Sequence, residues 1–142
     1  MLSRQAFELP ASQMRVWDLL ATTILQSLPI THSEVVNDST MRGVLTLKFG
    51  PIALPQRIVM EVADIEPMRA FATRVTVGEG MLGAVLGVRY ELAAVDDDRA
   101  RVTCTAETLE APAWMSLVRP VQARIANQMF AAVRTELERV LS

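Results

Sequence analysis

The sequence predicts one α+β domain in which a curved antiparallel sheet of about six or seven strands wraps around a long C-terminal helix. Three observations lead to this fold class. Apolar and polar residues alternate for about eighty residues, a period of 2 that is typical of strands. Apolar residues at helical spacing flank that stretch, and the longer helical pattern closes the chain. The length of 142 residues fits a single domain, residues 1–142.

The N-terminal part predicts a strand followed by a short helical pair. Residues 3–9 alternate as a short strand, and Pro10 ends it because proline cannot donate a hydrogen bond to a sheet. Ser12 can cap a helix whose apolar residues Val16 and Leu20 share one face. A second helical segment continues to Pro29. The pattern is compatible with one interrupted helix or with two short helices.

The residues after Pro29 predict an antiparallel meander of about six strands. In one of these strands, Phe71, Thr73 and Val75 form one face and Arg74 lies on the other. Residues that favour turns separate the strands, at positions 37–39, 50–51, 78–80 and 96–98.

Residues 113–141 predict the longest element, an amphipathic helix that covers the concave face of the sheet. Pro120 removes a backbone donor, so either the helix kinks there or a short piece ends and the main helix begins. Glu136 falls within the apolar stripe, which we attribute to drift of the stripe past Pro120. The predicted stripe consists of Leu117, Val121, Ile125, Met129, Val133, Leu137 and Val140.

The composition excludes several classes of function. Fourteen basic and sixteen acidic side chains give a net charge of −2, without the basic excess that binding to nucleic acid normally uses. One cysteine and one histidine cannot form a disulfide or a histidine cluster, so we expect no metal site and no cofactor. The N-terminus lacks the apolar core of a signal peptide, and no apolar run reaches about 18 residues. We therefore expect a cytoplasmic protein with no nucleic-acid partner and no integral membrane segment.

Three features that could carry chemistry have simpler structural interpretations. Residues 78–83 match the pattern G-x-G-x-x-G, but a strand-like alternation follows where a dinucleotide-binding domain has a helix, so a hairpin or a bulge is predicted. His32 lies in a polar stretch and is interpreted as a surface loop residue. Cys104 alternates with Val102 and Ala106 and is interpreted as a small buried hydrophobic residue.

Four stretches of the chain carry a resemblance to a known family: residues 7–11 leading to Val16 and Trp17, residues 48–52, residues 79–80 in the glycine-rich hairpin, and the closing helix. Together they resemble the START-like (SRPBCC) superfamily, and within it most closely the carbon monoxide dehydrogenase G-subunit proteins. The resemblance covers nearly the whole chain. It implies a helix-grip fold of the START/Bet v 1 type, in which the sheet and the C-terminal helix enclose a hydrophobic cavity.

The resemblance and the apolar inner face lead us to expect a protein that binds a hydrophobic small molecule, such as a lipid or an isoprenoid quinone. The likeness to the carbon monoxide dehydrogenase G-subunit proteins implies an accessory role beside a partner redox enzyme. Two alternatives stay open: an enzyme of the polyketide cyclase or dehydratase kind that uses polar residues in the cavity, and an interaction module for enzyme assembly. Binding without catalysis is the leading hypothesis, and the sequence leaves the oligomeric state open.

The candidate site residues follow from the alternation in the strands and from the position of the closing helix. Tyr90 shares a face with Val88 and Leu92, so its hydroxyl is the polar group expected inside the cavity, with a buried backbone partner as the simpler explanation. Charged strand residues such as Arg74 and Glu91 alternate with apolar ones and are expected on the solvent face. The predicted ligand-binding residues are Leu47, Phe49, Met60, Phe71, Val75, Val88, Tyr90, Trp114, Leu117, Val118, Val121 and Ile125.

Overall fold

A computed structural model describes residues 2–27, 30–49, 51–78, 84–111 and 119–142, with the backbone alone for residues 25–27, 47–49, 52, 54, 119, 121 and 125. Two helices and seven strands make up these ranges. In chain order they are β1 (Ser3–Leu9), α1 (Gln13–Ser27), β2 (Ile30–Asn37), β3 (Thr40–Phe49), β4 (Ile52–Glu66), β5 (Ala70–Val77), β6 (Ala84–Asp96), β7 (Arg99–Glu110) and α2 (Arg119–Leu141).

The seven strands form one antiparallel sheet in the order β1-β7-β6-β5-β4-β3-β2. Strands β2 to β7 are a meander, because each pairs with the next along the chain, and β1 joins the opposite edge beside β7. The predicted α+β class, the strand number and the closing helix are thereby confirmed. We call the face that carries Tyr90 and packs against the helices the inner face, and the opposite one the outer face.

The predicted helical pair after β1 is wrong, because α1 is one continuous helix from Gln13 to Ser27. The residues between Ser12 and Pro29 include neither proline nor glycine, so nothing interrupts the ladder of backbone hydrogen bonds. The predicted cap is present: the Arg15 backbone N–H donates to Ser12 Oγ at 3.3 Å.

Helix α2 buries two residues of the predicted stripe, Val133 and Leu137, together with two that the prediction lacked. Its described buried residues are Ala126, Phe130, Val133 and Leu137, whereas Met129 is only partly buried. The described part of the helix begins at Arg119, one residue before Pro120. The predicted start at residue 113 lies outside the described residues. Glu136 is half-buried and accepts a hydrogen bond from Arg139 Nε at 3.1 Å.

Side-chain oxygens organise two of the hairpin turns that the sequence predicts. The Asp98 backbone N–H donates to Asp96 Oδ1 at 2.8 Å, and the Ser39 N–H donates to Asn37 Oδ1 at 2.9 Å. Gly78 has a φ of 79°, which suits a residue without a Cβ. Residues 79–83 lie outside the described part, and strand β6 follows them, as the hairpin interpretation requires.

Candidate ligand-binding site

The inner face contains a solid core at one side of the sheet. Of the described residues, those that are at most 1% exposed all come from β1, β7, α1 and α2. Helix α2 packs against β1 and α1, and α1 also approaches β6 and β7. We call this group the solid core; it consists of Leu9, Val16, Leu20, Ala100, Val102, Cys104, Phe130, Val133 and Leu137.

A second apolar region continues the inner face across β4, β5 and β6. We call it the inner-face patch and define it as Met60, Phe71, Val75, Val88 and Tyr90. These residues are 3% to 7% exposed. Partly buried residues surround it, namely Met41, Val62, Val77 and Leu86. The patch is thus apolar and covered, but it is less completely enclosed than the solid core.

Four aromatic rings join the patch to the two helices. Trp17 of α1 meets the Phe71 ring edge-on at a centroid distance of 5.9 Å, and Phe71 lies 5.2 Å from Tyr90. Tyr90 in turn meets Phe130 of α2 at 6.2 Å with the rings nearly perpendicular. Such edge-to-face geometry is favourable for aromatic pairs. Through these rings, Phe71 and Tyr90 of the patch contact Trp17 of α1 and Phe130 of α2.

Tyr90 is the polar residue of the patch. It is 3% exposed, and burial raises the pKa of its phenol well above the ordinary value, so the hydroxyl stays neutral and can donate a hydrogen bond. Its neighbour across the sheet is Cys104 of β7, which is fully buried, as the sequence predicted.

Alkaline pH is expected to destabilise the domain through Cys104. Burial raises the pKa of its thiol to about 12, whereas an unfolded cysteine has a pKa of about 8.5. Above pH 8.5 the unfolded chain therefore releases a proton that the folded chain keeps, and stability falls by about 1.4 kcal/mol per pH unit, or about 2 kcal/mol by pH 10. The sequence holds only one cysteine, one tyrosine and one lysine, so few other groups titrate between pH 8.5 and pH 10.

The measurement is urea unfolding between pH 7 and pH 10 for the wild type and for Cys104→Ala. The variant should lose most of the pH dependence below pH 10, since only Tyr90 remains to add a decline above that pH. Equal slopes for the two proteins would contradict the assignment of this effect to Cys104.

The structure brings five of the predicted site residues together on one face. Met60 is the cross-strand partner of Val75, and Phe71 is the partner of Tyr90, with Val88 two residues before Tyr90 on the same strand. Four predicted residues, whose backbone alone is described, lie in β3 and α2: Leu47, Phe49, Val121 and Ile125. The remaining three, Trp114, Leu117 and Val118, lie outside the described residues. The ligand-binding role of all twelve stays a prediction.

The charged strand residues lie on the outer face, as the alternation predicts. Glu61 is the cross-strand partner of Arg74, and both are exposed. Arg89 donates to Glu66 at 2.8 Å and lies 3.4 Å from Glu91. Arg74 and Arg89 line a shallow outer groove of about 450 Å³. Exposed ion pairs such as these contribute little stability. These charged side chains therefore lie on the face of the sheet opposite to the inner-face patch.

The structure adds two residues that the predicted site lacked, and it corrects the predicted position of a third. Phe130 was absent from the predicted stripe, although it stands four residues after Ala126 and three before Val133, the spacing of one helical face. Trp17 borders the patch through Phe71. His32 is exposed, as expected, but it lies in strand β2 rather than in a loop, with a φ of 51°.

Two further observations concern metals and membranes. Within the described ranges, no three of the residue types His, Cys, Asp and Glu come together in a way that could hold a metal ion. Neither helix of the described chain is long and apolar enough to cross a membrane.

No protein-family model matches the sequence, and no curated protein is detectably similar to it. Solved structures are similar over nearly the full length. A conserved protein from Geobacillus kaustophilus has 13% identity and a TM-score of 0.76, covering 97% of this chain and 93% of that one. Truncated norcoclaurine synthase from Thalictrum flavum has 14% identity and a TM-score of 0.72, covering 97% and 91%.

A START superfamily protein from Mycobacterium smegmatis has 13% identity and a TM-score of 0.64, covering 98% of this chain and 95% of that one. At such identities the likeness establishes the fold, whereas the closer likeness to the carbon monoxide dehydrogenase G-subunit proteins stays a prediction. The seven-stranded antiparallel sheet, the helix after the first strand and the long closing helix give this chain the helix-grip fold of START and Bet v 1-like proteins.

Proposed function

We propose that this protein binds an apolar small molecule between the inner-face patch and the C-terminal helix. The observation that carries the proposal is the difference in burial across the inner face. The solid core is at most 1% exposed, whereas the patch retains 3% to 7% although its side chains are equally apolar. The helices make most of their contacts with each other and with β1, β6 and β7, so we infer space for a ligand beside the part of the patch on β4 and β5.

Burial of apolar surface supplies the driving force for such binding. Each Å² of apolar surface removed from water contributes about 25 cal/mol, so a ligand that buries about 300 Å² gains about 7 to 8 kcal/mol. Part of this gain is offset by the loss of the ligand's translational and rotational freedom. Met60 adds an adaptable wall, because its unbranched thioether side chain can follow different ligand shapes.

Tyr90 supports a ligand with one polar end. Its buried, neutral hydroxyl can donate a hydrogen bond to a carbonyl or hydroxyl oxygen of a ligand that lies against Phe71 and Val88. Isoprenoid quinones and lipids with a neutral polar end have this combination of a long apolar part and an oxygen acceptor. We therefore favour these two ligand classes.

Catalysis is the second candidate function, since norcoclaurine synthase is an enzyme with a similar fold. Acid–base chemistry needs titratable groups beside the bound molecule. In the described part of the chain, the candidates Glu61, Arg74 and Glu91 lie on the outer face, and Tyr90 alone of the predicted polar candidates lies on the inner face. This distribution favours binding over catalysis.

Native mass spectrometry of the purified protein, followed by organic extraction, tests the proposal. We expect a mass above that of the chain, which disappears after extraction and is recovered as an apolar compound. No uptake of the neutral fluorophore N-phenyl-1-naphthylamine by the extracted protein would contradict it. The same preparation tests the accessory role that the carbon monoxide dehydrogenase likeness implies, because a partner enzyme should co-purify; a partner chain without any small molecule would instead favour the interaction module.

A further inference from the structure

The β2 edge of the sheet is open and carries two exposed valines, Val35 and Val36. Strand β2 ends the strand order, on the side of the sheet opposite to β1 and the solid core. Its residues from Thr31 to Asn37 are all exposed, and Val35 is 76% exposed. An exposed valine at the end of a sheet is ordinary by itself. Val35 is significant because of its cross-strand partner, Met41.

A continuous row of apolar residues joins Val35 to the inner-face patch. Val35 is the cross-strand partner of Met41, Met41 of Met60, and Met60 of Val75. Directly opposed residues on paired strands project from the same face, so the four side chains lie in one line on the inner face. Exposure falls along this line from 76% at Val35, through the partly buried Met41, to 6% at Met60 and Val75. Three strand spacings, about 14 Å, separate the two ends.

The row has defined borders on both sides. On one side, Ile30 covers Gly43, since a Cβ added to Gly43 would lie 2.4 Å from the Ile30 Cγ2 methyl group. On the other side, the turn after β2 closes against β4, where the Val62 N–H donates to the Ser39 carbonyl oxygen at 2.8 Å. The row is thus flanked by Ile30 on one side and by the turn between β2 and β3 on the other.

The charges of this edge are kept on the outer face. Glu34 is the cross-strand partner of Arg42, and the two side chains pair at 3.5 Å. The pairing puts Glu34 with Arg42 on the outer face and Val35 with Met41 on the inner face, whereas Val36 is the extra residue of a bulge between Val35 and Asn37. A molecule that crosses the Val35 edge thus meets apolar groups and avoids the ion pair.

We infer that the apolar ligand reaches the inner-face patch across the β2 edge, along the row Val35, Met41 and Met60. This inference rests on the proposed function, because it concerns the route to the same site. Val35 lies outside the patch, so it touches the ligand during passage and not in the bound complex. A change at Val35 should therefore alter the rates of binding and release by the same factor and leave the equilibrium affinity unchanged.

Stopped-flow fluorescence with N-phenyl-1-naphthylamine tests the route, using Val35→Glu and the matched control Val36→Glu. Both valines are exposed and adjacent, but only Val35 is the cross-strand partner of Met41, whereas Val36 is the extra residue of the bulge and lies outside the row. A hydrated carboxylate in the row should slow association and dissociation about tenfold in Val35→Glu, which corresponds to about 1.4 kcal/mol in the barrier. The Val36→Glu variant should behave like the wild type. Urea unfolding of both variants verifies that the exposed substitutions leave the fold intact.

Each other outcome overturns the inference in a distinguishable way. Equal rates for the wild type and both variants would show that the ligand enters elsewhere. A weaker equilibrium affinity of Val35→Glu at an unchanged association rate would make Val35 part of the bound complex instead of the route. If the wild type takes up no N-phenyl-1-naphthylamine, the proposed function fails and the route fails with it.

Discussion

Replacing Phe130 by alanine is expected to lower the free energy of unfolding by about 3 to 5 kcal/mol. Phe130 is 1% exposed, stands in the middle of the α2 stripe and contacts the Tyr90 ring. Its removal leaves a cavity where α2 meets the sheet, and the neighbouring side chains can fill it only in part. Since whole domains are stable by about 5 to 15 kcal/mol, this is a large fraction of the total. Thermal unfolding should show a melting temperature lower by roughly 10 °C.

Two control variants separate the loss of this contact from a general effect on the helix. Phe130→Leu keeps most of the apolar volume and should cost only about 1 to 1.5 kcal/mol. Gln128→Ala changes an exposed position of the same helix and should stay within about 0.5 kcal/mol of the wild type. If Phe130→Ala costs less than about 1 kcal/mol, α2 does not hold the sheet through this residue.

The second large effect contrasts the two parts of the inner face by enlarging one valine in each. Val102 is fully buried in the solid core, so Val102→Phe should destabilise the fold by about 1 to 3 kcal/mol through overpacking. Val75 belongs to the inner-face patch, where the larger ring can occupy the space that we assign to a ligand. Val75→Phe should therefore leave the free energy of unfolding within about 0.5 kcal/mol of the wild type.

Urea unfolding of both variants under identical conditions makes the comparison. The chemical change is the same in both, so a difference in stability reports on the space available at each position. Equal destabilisation by the two substitutions would mean that the patch is as tightly packed as the solid core. The space required for a ligand would then be absent.

The strands could be predicted well because the signal that forms them is local. Alternation places one face of a strand in the interior, and it fixed both β1 at Ser3–Leu9 and the inward direction of Phe71, Val75 and Tyr90. The inward direction of these side chains could be predicted without knowing which strands lie beside them. Their burial follows from the pattern alone once a sheet packs against helices.

The helices were predicted less accurately, since their faces depend on geometry that accumulates along the chain. Each step of four residues turns a helix by about 400°, so a stripe built mostly from such steps drifts by about 40° each time. The predicted stripe through Met129 drifted in this way. The observed stripe combines steps of four and three, from Ala126 to Phe130 to Val133, and stays on one side. In α1, the buried residues Val16, Leu20, Thr23 and Ile24 follow one continuous face at spacings of four, three and one, so the two predicted segments belong to one helix.

The division of the interior and the open edge could not be predicted from the sequence. Val35 and Met60 are far apart in the chain, and only the strand order aligns them in one row. Likewise, Val75 and Val102 have similar local patterns, and their different enclosure depends on where α1 and α2 come to lie. Such properties arise from tertiary packing rather than from residue periodicity.

Equilibrium titration of the wild type and Val75→Phe with N-phenyl-1-naphthylamine tests most directly whether the inner-face patch holds an apolar ligand. We expect saturable binding by the wild type and binding at least about tenfold weaker by Val75→Phe, a loss of about 1.4 kcal/mol, because the phenyl ring occupies the ligand's place. Equal affinities of the two proteins, or no uptake by the wild type, would contradict a ligand site between the sheet and the helix.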